Sequence, residues 1–183
     1  MRIKIFALLL LFLLSPIFII LAMAIFIEDG FPIFYTQKRF GADCKKFDIF
    51  KFRSMKNDTP EIATHLLNSP HIYLLKVGKF IRNYSLDELP NLINIIKGEM
   101  TFVGPRPALH NQNDLINYRI SLGVSKLKPG ITGWAQINGR DEISLAEKVN
   151  LEFFYLKNKS FFLDFIIIYK TFFKVISKKG IKH

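Results

Sequence analysis

From Ile5 to Ile27 the chain carries no charged side chain. At about 1.5 Å rise per residue, an apolar run of that length reaches across the roughly 30 Å hydrocarbon layer of a bilayer. Ser15-Pro16 interrupts it near the middle. A proline there removes one backbone hydrogen bond and crowds the Phe12 carbonyl, so the pattern predicts a helix with a sharp bend. The Ser15 hydroxyl can satisfy part of the freed backbone, for which lipid offers no partner. Basic residues flank the run on both sides, Arg2 and Lys4 before it and Lys38 to Lys56 after it, with Glu28 and Asp29 nearest the exit. Such flanks give a simple span no clear orientation. Three forms fit these residues: a re-entrant helix-break-helix, a kinked transmembrane helix, and a cleaved signal peptide. Ala22-Met23-Ala24 supplies the small-x-small pattern for the third, but the apolar stretch ahead of it is long and continues past it.

Beyond the anchor the period changes. Residues 33–53 alternate loosely and predict a β-hairpin turning at Gly41, with a bulge where Ile49 and Phe50 break the alternation. The polar stretch 57–71, bounded by Pro60 and Pro70, predicts a mobile surface loop with at most one helical turn. Leu74 to Ile81 reads as a short helix. Leu89, Leu92, Ile93 and Ile96 mark a helical stripe over 89–97 that Gly98 stops. Proline and glycine fix non-helical loops at Gly104–Pro107 and Pro129–Gly133. A helix is expected over 142–157. Another is expected over 161–178, with Phe165, Ile166, Tyr169, Phe172, Phe173 and Ile176 on one side and Lys170, Lys174 and Lys178 on the other. That division suits a helix in the membrane interface, and equally a core helix with one solvated side. The fold class predicted is α+β, mainly helical. A membrane helix occupies 1–27, and a domain over 28–183 holds the hairpin and the amphipathic helices.

Composition narrows the partners. Half the residues are hydrophobic, 19 are Phe, and the formal net charge is +11. Apolarity combined with positive charge suits an anionic lipid surface, where each Lys or Arg contributes about 1 kcal/mol. Nucleic acid is the other usual reason for such a charge. The basic residues form no dense block and no helix reads as a groove reader, so nucleic acid is not the expected partner. Cys44 is alone, which rules out an internal disulfide, and its neighbours Asp43, Lys45 and Lys46 read as a hairpin tip. His65, His71, His110 and His183 have no zinc spacing, and neither a P-loop nor a dinucleotide glycine motif occurs.

The chemistry concentrates between Arg82 and Pro107. Asp87 and Glu88 stand side by side at the start of an apolar helical segment, with Arg82 before them and Arg106 after. Ser85-Leu86-Asp87-Glu88 also matches a capping box, in which Glu88 only reaches back to the Ser85 backbone. Pro90 complicates that reading, because proline is best placed as a first helical residue; the helix then starts at Pro90 and leaves the two acids in the preceding turn. Either way the carboxylates lie at a helix N-terminus, where free N–H groups favour phosphate. Arg106, between Pro105 and Pro107, has a backbone fixed on both sides and offers a rigid fork for phosphate oxygens. Asn138-Gly139-Arg140 ends a second rigid loop in an arginine. An acid pair ringed by arginines suits a magnesium-bridged phosphate.

In order along the chain, these motifs closely resemble those of the monotopic phosphoglycosyl transferases, the initiating sugar transferases of bacterial glycoconjugate assembly. The resemblance runs from about Phe6 to Lys178. It rests on Ser15-Pro16, on Lys51-Phe52-Arg53-Ser54-Met55, and on Arg82 followed by Ser85-Leu86-Asp87-Glu88-Leu89-Pro90. It continues through Lys97-Gly98-Glu99-Met100, Gly104-Pro105-Arg106-Pro107, Pro129-Gly130-Ile131-Thr132-Gly133 and Asn138-Gly139-Arg140. The resemblance implies transfer of a phosphosugar from a UDP-sugar to polyprenyl phosphate, with UMP as the other product. It further implies Mg2+, a re-entrant anchor broken at Ser15-Pro16, and a location on the cytoplasmic face of the bacterial inner membrane. Asp87 would be the covalent nucleophile and lie at the metal, and Glu88 would hold the metal or orient the acceptor phosphate. Arg106 and Arg82 would offset phosphate charge, with Arg53 in support and Arg140 on the nucleotide. Membrane lipids are implied partners, and lipid-facing helices could also pair two copies. Two departures stand out: members usually begin with a basic and an acidic residue ahead of the apolar run, and Arg53 occupies a position that is often lysine. Larger members carry a further membrane domain, so a minimal catalytic version is expected. A non-catalytic adaptor on anionic lipid is the competing reading.

Overall fold

The computed structural model of the chain describes residues 1–60, 70–139 and 143–177. Two apolar helices open it, α1 (Arg2–Leu13) and α2 (Ser15–Asp29), bent at 59° to one another. Pro16 lies in the first turn of α2, where its missing N–H disturbs no intrahelical bond, so the break falls at Ser15-Pro16 as predicted. The helix continues past Ile27 because the acids beyond it have partners. Glu28 accepts from the backbone N–H groups of Lys76 and Val77 at 2.6 and 2.9 Å, and Asp29 pairs with Arg53. At the other end, Ala7 is fully buried against Leu92 and Ile95, and Lys4 Nζ donates to the Lys97 carbonyl at 3.3 Å. Both ends of the bent pair are therefore pinned to the same body. Among the described residues no single helix is long and apolar enough to cross a membrane, although this pair taken together is. Its outer side chains, among them Leu8, Leu9, Phe12, Ile19, Ile20 and Met23, are exposed.

The hairpin forms from β1 (Phe34–Phe40) and β2 (Lys46–Phe52), joined through a tight turn at Ala42–Cys44. Its register is unbroken from Phe34 opposite Phe52 to Phe40 opposite Lys46, so the bulge expected at Ile49-Phe50 is absent. Phe50 instead takes the face opposite Ile49, half-buried with Lys97 Nζ 4.4 Å from its ring centroid, so no extra residue is needed. Phe47 and Ile49 enter one cluster with Leu92, Ile95 and Met100. Phe52, on the opposite face, enters another with Leu21, Ile25, Leu75 and Ile81.

Helix α3 (Lys76–Asn83) starts two residues later than predicted, since Leu74 bridges to Met55 and Glu28 caps the first turn. Helix α4 (Asn91–Lys97) ends where predicted, at Gly98, whose φ of 89° favours glycine. One residue of α4 secures the edge of β2. The Asn94 side chain accepts from the Phe50 N–H at 3.1 Å and donates to the Asp48 carbonyl at 2.7 Å, as a neighbouring strand would. Asn94→Ala is expected to cost roughly 2–4 kcal/mol in a denaturant titration, because it strands both backbone groups.

Strand β3 (Thr101–Val103) follows, and β4 (Ala108–Leu109) adds to the free side of β1, giving the order β2-β1-β4. After α5 (Asn113–Ser121), β5 (Gly130–Thr132) runs parallel to β3. Beside Gly104, which follows β3, a Cβ on Gly130 at the start of β5 would lie 2.1 Å from the Gly104 nitrogen and one on Gly133 just past its end would lie 2.1 Å from the Gly104 carbonyl oxygen. The two glycine-proline loops can therefore touch only as bare backbone. A short α6 (Trp134–Asn138) leads to α7 (Leu145–Asn158) and α8 (Phe161–Ser177). Residue 142, the predicted start of α7, and residue 178, the predicted end of α8, lie outside the described residues, as does 61–69 of the polar loop. Ile167 of α8 is buried and Thr171 shares a 2.6 Å hydrogen bond with Thr132, while Phe165, Tyr169, Phe172 and Phe173 stay exposed. The fold is α+β and mainly helical.

Candidate functional site

Past α3 the backbone enters the left-handed region at Ser85, with φ of 53°, and a single 3-10 turn, Leu86–Glu88, precedes α4. Pro90 caps α4, so the second of the two helix-start readings holds and the acid pair lies in the turn ahead. Ser85 makes no side-chain cap. The same S-x-x-E pattern does form a capping box at Ser144–Glu147, on the solvent side of α7. There, hydrogen bonds from the Ser144 backbone and hydroxyl hold the Glu147 carboxyl below its ordinary pKa. The surroundings separate the two cases: Glu88 has cations within reach that outcompete a backbone N–H.

Those cations come from two directions. Lys51 Nζ lies 2.8 Å from Glu88 Oε1 and 3.4 Å from Asp87 Oδ2, and Arg106 Nη1 lies 3.1 Å from Glu88 Oε1. Both carboxylate side chains are only 13% exposed. Lys51 belongs to the face of β2 that also carries Ile49, and it stands opposite Tyr35 of β1. Arg106 hangs from the loop between Pro105 and Pro107. Its carbonyl accepts from Arg119 Nη2 at 2.9 Å, and Arg119 is gripped in turn by both Glu152 oxygens at 2.5 and 2.7 Å. A buried ion pair on α5 and α7 thus fixes the backbone of the arginine that reaches the acid pair.

Arg82, in the last turn of α3, donates from Nε to Ser54 Oγ at 2.9 Å. Burial lowers its pKa, and the charge of Asp87 works against that shift. Arg39 of β1 donates to the Pro107 carbonyl at 3.2 Å and to Gln37 at 2.6 Å. Burial, then the neighbouring Arg106, brings its pKa down to about 10, opposed by Tyr35 and Glu88. Arg39, Lys51, Glu88, Asn91, Arg106 and Pro107 line one cleft of about 260 Å³.

Of the predicted site residues, Asp87, Glu88, Arg82 and Arg106 converge. Arg53 does not join them. The chain leaves β2 just before it, and its guanidinium turns to the end of α2, bonding Asp29 and the carbonyls of Asp29 and Gly30. Its charge there meets the negative end of the helix dipole. Arg140 lies outside the described residues, and Ser15-Pro16 stands at the helix break. Lys51, quoted only as part of a motif, was given no site role by sequence, and the Arg119–Glu152 pair was not singled out. The strand alternation from Phe47 through Ile49 to Lys51 would have placed Lys51 on the inner face. Nothing local marks Arg119 or Glu152, which are joined only by the fold.

Arg39, Lys51 and Arg106 line the cleft with the single carboxylate of Glu88, and Asp87 lies 3.4 Å from Lys51, so the site carries surplus positive charge that suits a phosphate or diphosphate. Among the described residues no three His, Cys, Asp or Glu side chains gather as a metal cage. Asp87 and Glu88 supply oxygen only, which fits a hard cation sharing its shell with substrate phosphates.

The sequence model of the bacterial sugar transferases matches residues 3–178, nearly the whole chain. The chain belongs to that family. Among its relatives, this bacterial sugar transferase is 41% identical to EpsL of Bacillus subtilis, described as an uncharacterized sugar transferase, over 85% of this chain and 76% of that one. It is 39% identical to the UDP-glucose:undecaprenyl-phosphate glucose-1-phosphate transferase of Escherichia coli, covering 95% of this chain but only 39% of that protein's length. It is 35% identical to the exopolysaccharide production protein ExoY of Rhizobium meliloti, over 93% of this chain and 81% of that one.

Proposed function

We propose that this bacterial sugar transferase moves a phosphosugar from a UDP-sugar to a polyprenyl phosphate, releasing UMP and leaving a polyprenyl-diphosphate-sugar. That product begins the membrane stage of glycoconjugate assembly. The observation that carries the reading is the Asp87–Glu88 pair, held in a cleft with Lys51 at 2.8 and 3.4 Å and Arg106 at 3.1 Å. Relatives whose names specify undecaprenyl phosphate as acceptor support the substrate class.

In the proposed mechanism an Asp87 oxygen attacks the β-phosphorus of the donor. The bond from that phosphorus to the bridging oxygen breaks, and its electron pair leaves with UMP. An oxygen of the polyprenyl phosphate then attacks the same phosphorus, the aspartyl–phosphorus bond breaks, and the Asp87 carboxylate is restored. Covalent catalysis of this kind divides one transfer between two bulky anions into two easier displacements. A carboxylate approaching a diphosphate is repelled, so Lys51, Arg82 and Arg106 act mainly by offsetting charge and positioning phosphate oxygens. A Mg2+ ion held by Asp87, with Glu88 as second ligand or as a guide for the acceptor phosphate, would supply further neutralisation when bound.

The bent α1–α2 pair is proposed as a re-entrant anchor. A spanning helix would leave one end on the far side of the bilayer, whereas Lys4 and Ala7 at the start and Glu28 and Asp29 at the end all meet the same body. The exposed aromatic face of α8 would lie in the same leaflet, on the cytoplasmic side of the inner membrane, where the polyprenyl phosphate headgroup is reached. The division into an anchor over 1–27 and a catalytic domain over 28–183 belongs to this reading.

The test is direct. Purified protein with undecaprenyl phosphate, Mg2+ and a panel of UDP-sugars should release UMP over many turnovers with one sugar or a narrow set, whereas without the lipid phosphate release should stop at about one UMP per enzyme. No UMP from any sugar in correctly folded protein would end the proposal and favour a non-catalytic surface adaptor.

A further inference from the structure

Arg39 stands in the cleft without a role in the mechanism above, and its setting is unusual. By strand alternation and register, Arg39, Gln37 and Tyr35 of β1 share one sheet face with Ile49 and Lys51 of β2. The guanidinium is fixed at two points, by the Pro107 carbonyl and by Gln37. Its Nε is buried and has no hydrogen-bond partner among the described residues. Arg39 and Arg106 line the same cleft as Lys51 and Glu88, and Glu88 lies 3.1 Å from Arg106, so one carboxylate there stands against three cations.

A purely structural tether from β1 to the Pro107 loop would need only the contact to the Pro107 carbonyl. It explains neither the buried unused donor nor the second cation so near the first. Neutral ligand groups, such as sugar hydroxyls or base carbonyls, would satisfy the donor but leave Glu88 to offset Arg39, Lys51 and Arg106 in the cleft lining. An oxyanion does both, since it accepts from planar guanidinium forks and offsets the surplus positive charge.

We propose that Arg39 and Arg106 together form a phosphate subsite at the Pro107 end of the cleft, with Arg39 Nε donating to a phosphate oxygen. The assignment deepens the transferase reading and rests on it for the identity of the ligand. The shared chemistry is a phosphate oxyanion, supplied either by the nucleotide or by the polyprenyl phosphate.

The experiment measures equilibrium affinity by calorimetry, on the full chain in detergent, for three probes: inorganic diphosphate, UMP, and a short-chain polyprenyl phosphate. Arg39→Gln should weaken diphosphate binding at least about tenfold, the scale of a lost charge-assisted hydrogen bond. Arg39→Lys keeps the charge and a donor for Pro107 but lacks the fork and Nε. It should weaken binding by a smaller factor, and it covers the case in which the glutamine variant fails to fold. A loss confined to UMP assigns the subsite to the nucleotide, and a loss confined to the lipid phosphate assigns it to the acceptor. Wild-type affinity in either variant, or no diphosphate binding by the unaltered protein, overturns the proposal. Binding of diphosphate needs no transfer chemistry, so that failure would leave the role of Asp87 standing. Conversely, loss of the covalent mechanism would leave a measured Arg39 effect intact.

Discussion

Asp87→Asn is expected to lower UMP release by at least about a thousandfold while leaving the fold and the affinity for lipid vesicles unchanged. The substitution keeps the side chain's shape but replaces a carboxylate oxygen with an amide, which is too weak a nucleophile to attack phosphorus. The structural cost is small. Among the described residues the Asp87 side chain's hydrogen-bond contact is a 3.4 Å one to Lys51, which keeps its shorter 2.8 Å contact with Glu88, and Arg82 loses a nearby favourable charge but keeps its bond to Ser54. Activity and stability should therefore part company at this position. A variant that retained turnover would remove the aspartate from the reaction; one that lost vesicle binding as well would point to unfolding instead. The measurement is UMP release beside vesicle co-sedimentation of the same preparation.

The second large effect is expected far from the chemistry, at Arg119. Arg119→Leu leaves Glu152, only 2% exposed, with no counter-ion among the described residues, which typically costs roughly 3–5 kcal/mol. It also removes the donor that holds the Arg106 carbonyl at 2.9 Å. Denaturant unfolding in detergent should show the destabilisation directly. The double variant Arg119→Met with Glu152→Leu separates the two consequences. Removing both charges should recover most of the stability, because two apolar side chains need no partner. Turnover should not recover with it, since the Arg106 backbone has lost its clamp and the guanidinium its fixed approach to Glu88. If stability and activity return together, the ion pair serves the fold alone and does not position Arg106.

What was legible in the sequence was whatever a few adjacent residues decide. Ser15-Pro16 fixes a bend because proline lacks a donor, and the bend is where it was expected. Gly98 stops α4, and Pro90 sets its start, for equally local reasons. The acid pair with Arg82 and Arg106 was readable because rigid prolines and neighbouring charges announced it. Tertiary choices were not readable in this way. The break in alternation at Ile49-Phe50 looked like a bulge, since a single sequence does not show that both faces of β2 are covered. Ser85 and Ser144 carry the same capping pattern, yet only Ser144 uses it, because Lys51 and Arg106 reach Glu88 from distant segments. Arg53 resembled a phosphate ligand until the end of α2 supplied Asp29 and two carbonyls within its reach. Arg119 and Glu152 lie 33 residues apart and signal nothing until folding joins them.

Intact-protein and peptide mass spectrometry after mixing the enzyme with UDP-sugar and no lipid acceptor tests the central claim most directly. The expected result is a mass increase of one phosphosugar on the peptide containing Asp87, which disappears when polyprenyl phosphate is added. Protein shown to be active under the same conditions, yet carrying no adduct at that aspartate, would contradict it.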